Sequence, residues 1–171
     1  MSGQRLPRAL HGKNTLVACR TNFAPGPQHM LPSDIEEWLQ SNSSSGYRAH
    51  LLAHQADVSF YVTKLEIEGT ELADLYFRHG AMPVRGWYEL IEIDQVEQMT
   101  TYAINELGVP VGYLALTGVV GQGIVLYHRS SQAVFDVEFG QFDLLLKGEL
   151  APIATTFSGF LRWCRDRDQD D

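Results

Sequence analysis

His50 and His54 stand four residues apart, a spacing that sets two imidazoles on one face of a helix. A helical zinc-hydrolase motif needs a glutamate directly after the first histidine, and Leu51 occupies that place. No third ligand accompanies the pair, so both histidines read as structural. Residues 118–123, GVVGQG, are rich in glycine and follow an apolar run. A phosphate-binding loop would add Lys-Ser or Lys-Thr and lead into a helix. This loop leads into a strand-like run and reads as a hairpin turn. A Gly-x-Ser-x-Gly nucleophile elbow is missing. Cys19 and Cys164 have no metal or redox spacing, and Cys164 sits on an apolar helical stripe, where a thiol is inert. His79 shares a stripe with Leu72, Leu75 and Tyr76 and reads as a hydrogen-bonded edge residue.

Asp136, Glu138 and Asp143 form the one acidic grouping worth weighing. Acid–base catalysis by such a group needs a cleft that raises a carboxyl pKa. As a metal site the spacing is generic, and a solvated sheet face accounts for it. The expectation is a chain with no catalytic residue, no metal and no cofactor. Binding is the alternative chemistry, and exposed aromatics beside acids suit it, because aromatics concentrate at interface hot spots. Tyr88 and Tyr127, with Asp136, Glu138 and Asp143, are the candidate partner-binding residues. Trp87 and Tyr113 read as core. A second reading is a small ligand-binding domain or enzyme, using a pocket between sheet and helices lined by Asp136, Glu138, His128 and Tyr127; a third is a regulatory scaffold domain.

These side chains hang on a legible series of elements. Residues 111–117, 124–128 and 132–139 are strand-like runs of Val, Leu, Tyr and Phe bounded by Gly and Ser. In the third, Phe135, Val137 and Phe139 alternate with Val134, Asp136 and Glu138. Short connections make these three antiparallel. The first run, VGYLALT, is apolar on both sides and belongs in the middle of the sheet. Residues 155–165 close the chain as an amphipathic helix with Phe157, Phe160, Leu161 and Cys164 on one stripe, capped by Thr155 or Thr156.

Upstream, Ser33 and Glu36 make a capping-box pattern for a helix carrying Ile35, Trp38 and Leu39. Residues 47–55 continue as a second helical piece. Residues 58–67 carry the β-branched and aromatic side chains of a strand, with a phase shift between Val62 and Leu65. Thr70 caps a helix that Gly80 stops. Residues 86–93 form a further strand. Asp94, with Glu97, caps a helix bearing Val96, Met99, Thr100, Ala103 and Leu107, ended by Gly108 and Pro110. The fold class is α+β: an antiparallel or mixed sheet of about five to six strands, helices on one face, and the C-terminal helix closing the core.

A chain of 171 residues with 44% hydrophobic and 20% charged residues makes one ordinary domain. Residues 1–31 read as an irregular arm, with an edge strand at most near residues 15–19. Residues 32–167 read as the domain and 168–171 as an acidic tail. The longest apolar stretch falls short of the ~20 residues that span a membrane. The first thirty residues lack the apolar core of a signal peptide. The arm's arginines suit a transit peptide, but no amphipathic period supports one. The expected compartment is the cytoplasm.

Charge divides the chain. Residues 1–33 carry Arg5, Arg8, Lys13 and Arg20 and no acid, so the remainder holds 21 acids against nine bases, a net −12. A body of that sign argues against nucleic acid and draws cationic partners towards it.

The segment GYLALTG…GQGIVLYHRSSQAVFDVEFG…LAPIATTFSGFLRW, residues 112–163, resembles the second half of SUKH-superfamily domains. That superfamily includes a fungal regulator of cell-wall glucan synthesis and many bacterial immunity proteins. Its closing helix resembles Ile153-Ala154-Thr155-Thr156-Phe157-Ser158-Gly159-Phe160-Leu161. Residues 87–96, WYELIEIDQV, are similar to the family's strand leading into a helix. His79-Gly80 stands where the family has Asn-Gly. The resemblance spans about residues 65–165. It implies a non-enzymatic α+β domain that binds a protein, often a secreted toxin domain, and neutralises it. A basic nuclease toxin would suit the acidic body.

Overall fold

The computed structural model describes residues 30–81, 84, 89–119, 121 and 123–167. Its centre is an antiparallel meander of β1 (Tyr113–Ala115), β2 (Gly123–His128) and β3 (Val134–Glu138), in the order β1-β2-β3. Leu114 lies opposite Tyr127 in the first ladder, and Leu126 opposite Phe135 in the second. The three runs pair as their alternation predicts, but β2 holds the centre, not β1. Both are apolar on two sides for one reason: the sheet lies between two cores.

Leu114, Val125, Tyr127 and Val134 point into the larger core, and Ala115, Ile124, Leu126 and Val137 into the smaller. Around them lie α1 (Ser33–Asn42), α2 (Ser45–Ala53), α3 (Gln55–Lys64), α4 (Glu71–Arg78), α5 (Ile93–Leu107), α6 (Phe142–Lys147) and α7 (Phe157–Arg167). Helices α1, α3, α4 and α7 bury their stripes in the larger core, and α6 covers the other face through Leu145 and Phe142. Helix α5 serves both, with Ile93 and Val96 in one and Ala103 in the other. Helices therefore cover both faces rather than one, because β2 presents apolar side chains in both directions.

The terminal helix docks as its stripe requires. Phe157 and Phe160 are fully buried, and Phe157 meets Tyr127 edge-on at 6.0 Å. Each such ring stabilises the fold by roughly 1.5–3 kcal/mol through area removed from water. The Thr156 hydroxyl accepts from the Gly159 backbone N–H at 3.0 Å and caps the helix. Arg162 and Arg165 both donate to Asp34 on α1. The Arg162 guanidinium foremost, then Arg165, holds that carboxyl down at about 2.

Two expectations change. Residues 58–67 are mostly helix: α3 places Val58 and Val62, followed by Leu65, in the larger core. The phase shift seen in a strand reading is the helical interval between these three residues. The expected strand at residues 86–93 falls partly outside the described residues; Leu90 makes a single antiparallel bridge to Thr117, and Ile91 N–H donates to the Leu116 carbonyl at 2.9 Å. Among the described residues the sheet therefore has three strands, fewer than the five to six expected, within the expected α+β class. Residues 1–29, with the arm's possible edge strand, and residues 168–171 lie outside the description.

Local signals decide several boundaries. The Thr70 hydroxyl accepts from Ala73 N–H at 3.2 Å at the head of α4. Gly108 ends α5 in the left-handed region at φ 73°, where glycine has no Cβ to clash. The Ser33–Glu36 box does not form: α1 begins after Pro32 with no side-chain cap. Glu36 turns inward to Arg78 at the end of α4 and to His79, the residue that follows it. Helix α5 starts one residue before Asp94, following Glu92, again with no side-chain cap.

Candidate functional site

Helices α2 and α3 run almost end to end, joined at His54, whose backbone N–H still donates to the His50 carbonyl at 3.2 Å. Across that joint Tyr47, His50, His54, Asp57 and Tyr61 fall at i, i+3, i+7, i+10 and i+14, one continuous helical face. The face looks onto the start of α5, Glu92-Ile93-Asp94. Between them lies an open groove of about 630 Å³. Leu51, Val58 and Ile93 form its buried floor, and Phe60 and Tyr61 stand edge-to-face at 5.2 Å on its wall.

Each wall is held from behind. The Tyr76 hydroxyl donates to the Ile91 carbonyl at 2.9 Å, which fixes the chain just before Glu92. Burial pushes that hydroxyl's pKa far up, so it stays a donor. The Tyr47 ring lies over Gly80, where a Cβ would collide with the ring's hydroxyl end. From there the Tyr47 hydroxyl donates to Glu92 Oε1 at 2.7 Å. Gly80 has φ +64° and follows His79, whose Nε2 meets Glu36 Oε1 at 3.2 Å inside the core. Arg78 on the same turn donates to Glu36 Oε2 at 2.6 Å, and Asp74 Oδ2 accepts the Met30 and Leu31 backbone N–H groups at 3.0 and 3.1 Å. Burial lowers the His79 pKa against the opposing pull of Glu36.

The groove's polar groups are one-sided. Asp57, Glu92 and Asp94 line it, and among the described residues its lining has no lysine or arginine. His54 Nδ1 and Asp57 Oδ2 are 3.1 Å apart, and the His50 and His54 rings are centred 4.3 Å apart. At the rim, Lys64 bridges to Glu97 at 2.7 Å with its ammonium 5.5 Å above the Phe60 ring. Such a surface offers carboxylate acceptors and aromatic faces, the two partners of a cation. No group of three or more His, Cys, Asp or Glu side chains among the described residues is arranged to hold a metal ion.

The sequence-derived binding residues lie elsewhere. Asp136 is half-buried on β3 opposite Val125. Glu138 is exposed where β3 passes into a 3₁₀ turn, and its backbone N–H donates to Gln141 Oε1 at 3.3 Å. Asp143 is exposed in the first turn of α6. Tyr127 is fully buried against Phe157, so it cannot touch a partner in this conformation. Tyr88 and Trp87 lie outside the described residues. The pocket considered between sheet and helices is occupied at Tyr127 by core packing; His128 instead pairs with Ser131 Oγ at 2.9 Å. Cys164 is buried in the larger core, as its stripe implies.

Sequence reasoning singled out His50 and His54 but missed Tyr47, Asp57, Phe60, Glu92 and Asp94. The usable signal was the helical interval running from Tyr47 to Tyr61, hidden by assigning a strand from residue 58. The chain matches no family model, no curated protein and no solved structure.

Proposed function

We propose that this chain is a non-enzymatic protein-binding module of the SUKH type, an immunity protein that neutralises a cationic toxin domain. The observation that carries this reading is the groove: three carboxylates and aromatic faces, with no lysine or arginine among its described lining residues, on a body of net −12. Complementary potential raises encounter rates and suppresses partners of the same sign. The α+β fold, with its terminal helix seated on a three-stranded meander, agrees with the resemblance in residues 112–163. Such a module acts by covering a toxin's working surface, and its own side chains need perform no chemistry.

The test is co-expression with the toxin domain of a neighbouring gene, followed by kinetics on the purified pair. Growth is rescued, the complex is one-to-one, and the association rate falls at least tenfold between 50 and 500 mM salt, because screening shortens the reach of the field. A failure to bind or to rescue against every basic toxin domain tried would sink the reading. A second reading has one observation in its favour. The groove's 630 Å³ lies within the roughly 300–1,000 Å³ of small-molecule sites. A bound metabolite recovered with the purified protein would move the assignment there.

A further inference from the structure

We infer that the groove between α2–α3 and the start of α5 is the docking site for a lysine- or arginine-bearing segment of the partner protein. This rests on the binding-module reading and adds to it the place, the residues and the chemistry of the contact.

Three features select a cationic peptide. Among the described lining residues the formal charge has one sign, from Asp57, Glu92 and Asp94. An anion or a nucleic-acid backbone would meet three carboxylates and, among the described lining residues, no lysine or arginine to offset them. Next, the aromatic wall is placed for cations. Phe60 is 59% exposed, a large apolar surface that folding leaves in water, and one ammonium of the chain itself already rests above it. A basic side chain would lay its methylenes on Phe60 and Tyr61 and carry its charged head to Asp57 or Asp94. Lastly, two of the three acceptors have partners before binding. Glu92 is held by Tyr47 and Asp57 faces His54, so little side-chain entropy remains to be lost on association. The groove is open along its length and has a buried apolar floor of Leu51, Val58 and Ile93, so it suits an extended segment better than an isolated amine.

The experiment uses the full chain and a fluorescein-labelled decapeptide of alternating arginine and glycine. Control peptides carry citrulline or glutamate in place of arginine. Anisotropy is read at low salt. Wild type binds the arginine peptide at least tenfold more tightly than the citrulline peptide and does not bind the glutamate peptide. D57N/D94N weakens arginine-peptide binding at least tenfold, and Phe60→Ser at least fivefold. Glu138→Gln/Asp143→Asn removes the same net charge away from the groove and changes binding less than twofold. All substituted side chains are exposed, and matching circular dichroism melts confirm that the variants fold.

Equal weakening by the distant pair, or equal binding of the citrulline peptide, would overturn the assignment, since net charge or apolar contact alone would then explain capture. So would absence of any arginine-peptide binding. The two layers separate cleanly. If D57N/D94N holds a basic toxin domain as tightly as wild type, the docking site is wrong and the module reading survives. If the peptide binds at the groove but no toxin domain is bound or neutralised, the module reading fails and the site stands.

Discussion

Removing one carboxylate from the core should unfasten α1 from α4. Glu36 is 8% exposed and accepts from two donors, the Arg78 guanidinium at 2.6 Å and, where Nε2 carries the ring proton, the neutral His79 at 3.2 Å. In Glu36→Ala the guanidinium keeps only Asp74 Oδ2, at 3.5 Å, and His79 loses its acceptor. Breaking a buried ion pair costs about 3–5 kcal/mol because the surviving charge stays desolvated. The Arg78 side chain is 24% exposed, so water takes part of the load and the lower end applies. The expected loss is about 3 kcal/mol, which lowers Tm by about 6–12 °C in a chain of this size. Urea titration and thermal scans by circular dichroism at pH 7 measure it. Glu36→Leu combined with Arg78→Met removes both charges and recovers most of the loss, since an apolar pair needs no solvation. A loss below about 1 kcal/mol in Glu36→Ala, or a double variant no more stable than the single, would refute the reasoning.

Other consequences are simpler to state. His79 has its pKa lowered from 6.5 by burial, so the folded state holds it neutral while the unfolded chain takes up a proton. Its contribution is complete above 6.5 and is lost as pH falls from there through the lower folded value; His79→Gln should show a flatter loss of stability between pH 7 and 5 than wild type. Phe160→Ala empties a fully buried site and should cost about 3–5 kcal/mol in urea titration, whereas Phe139→Ala, at a 46% exposed residue, should stay within about 0.5 kcal/mol. Gly80→Ala puts a Cβ at φ +64° under the Tyr47 ring, a left-handed conformation worth about 1–2 kcal/mol before any collision. If the ring is displaced as expected, Tyr47→Phe costs less in the Gly80→Ala background than in wild type; an unchanged cost would show that Tyr47 keeps its bond to Glu92.

Much of this molecule is written in short intervals of its chain. The three strands show in their alternation and in the glycines and serines between them. The stripe of Phe157, Phe160, Leu161 and Cys164 dictates which side of α7 goes inward, and all four are buried. Thr70, Thr156 and Gly108 act on neighbours three to five residues away, so their roles need no knowledge of the fold. The acidic balance of the body is likewise a property of composition.

Other features needed partners distant in sequence. Residues 58–67 carry strand-forming side chains, yet the larger core takes Val58, Val62 and Leu65 at helical intervals. β-propensity differences amount to about 1 kcal/mol at most, less than the burial of three apolar side chains supplies. Glu36 matches a capping box, but Arg78 lies 42 residues further on and the buried pair prevails. The groove depends most on tertiary packing: Tyr47 and Glu92 are 45 residues apart, and only the seating of α2 and α3 against the start of α5 makes them neighbours. Local pattern decides what each segment can become, within energies of a kilocalorie or so; the cores decide which segments meet, because burial gains are several times larger and depend on the whole chain at once.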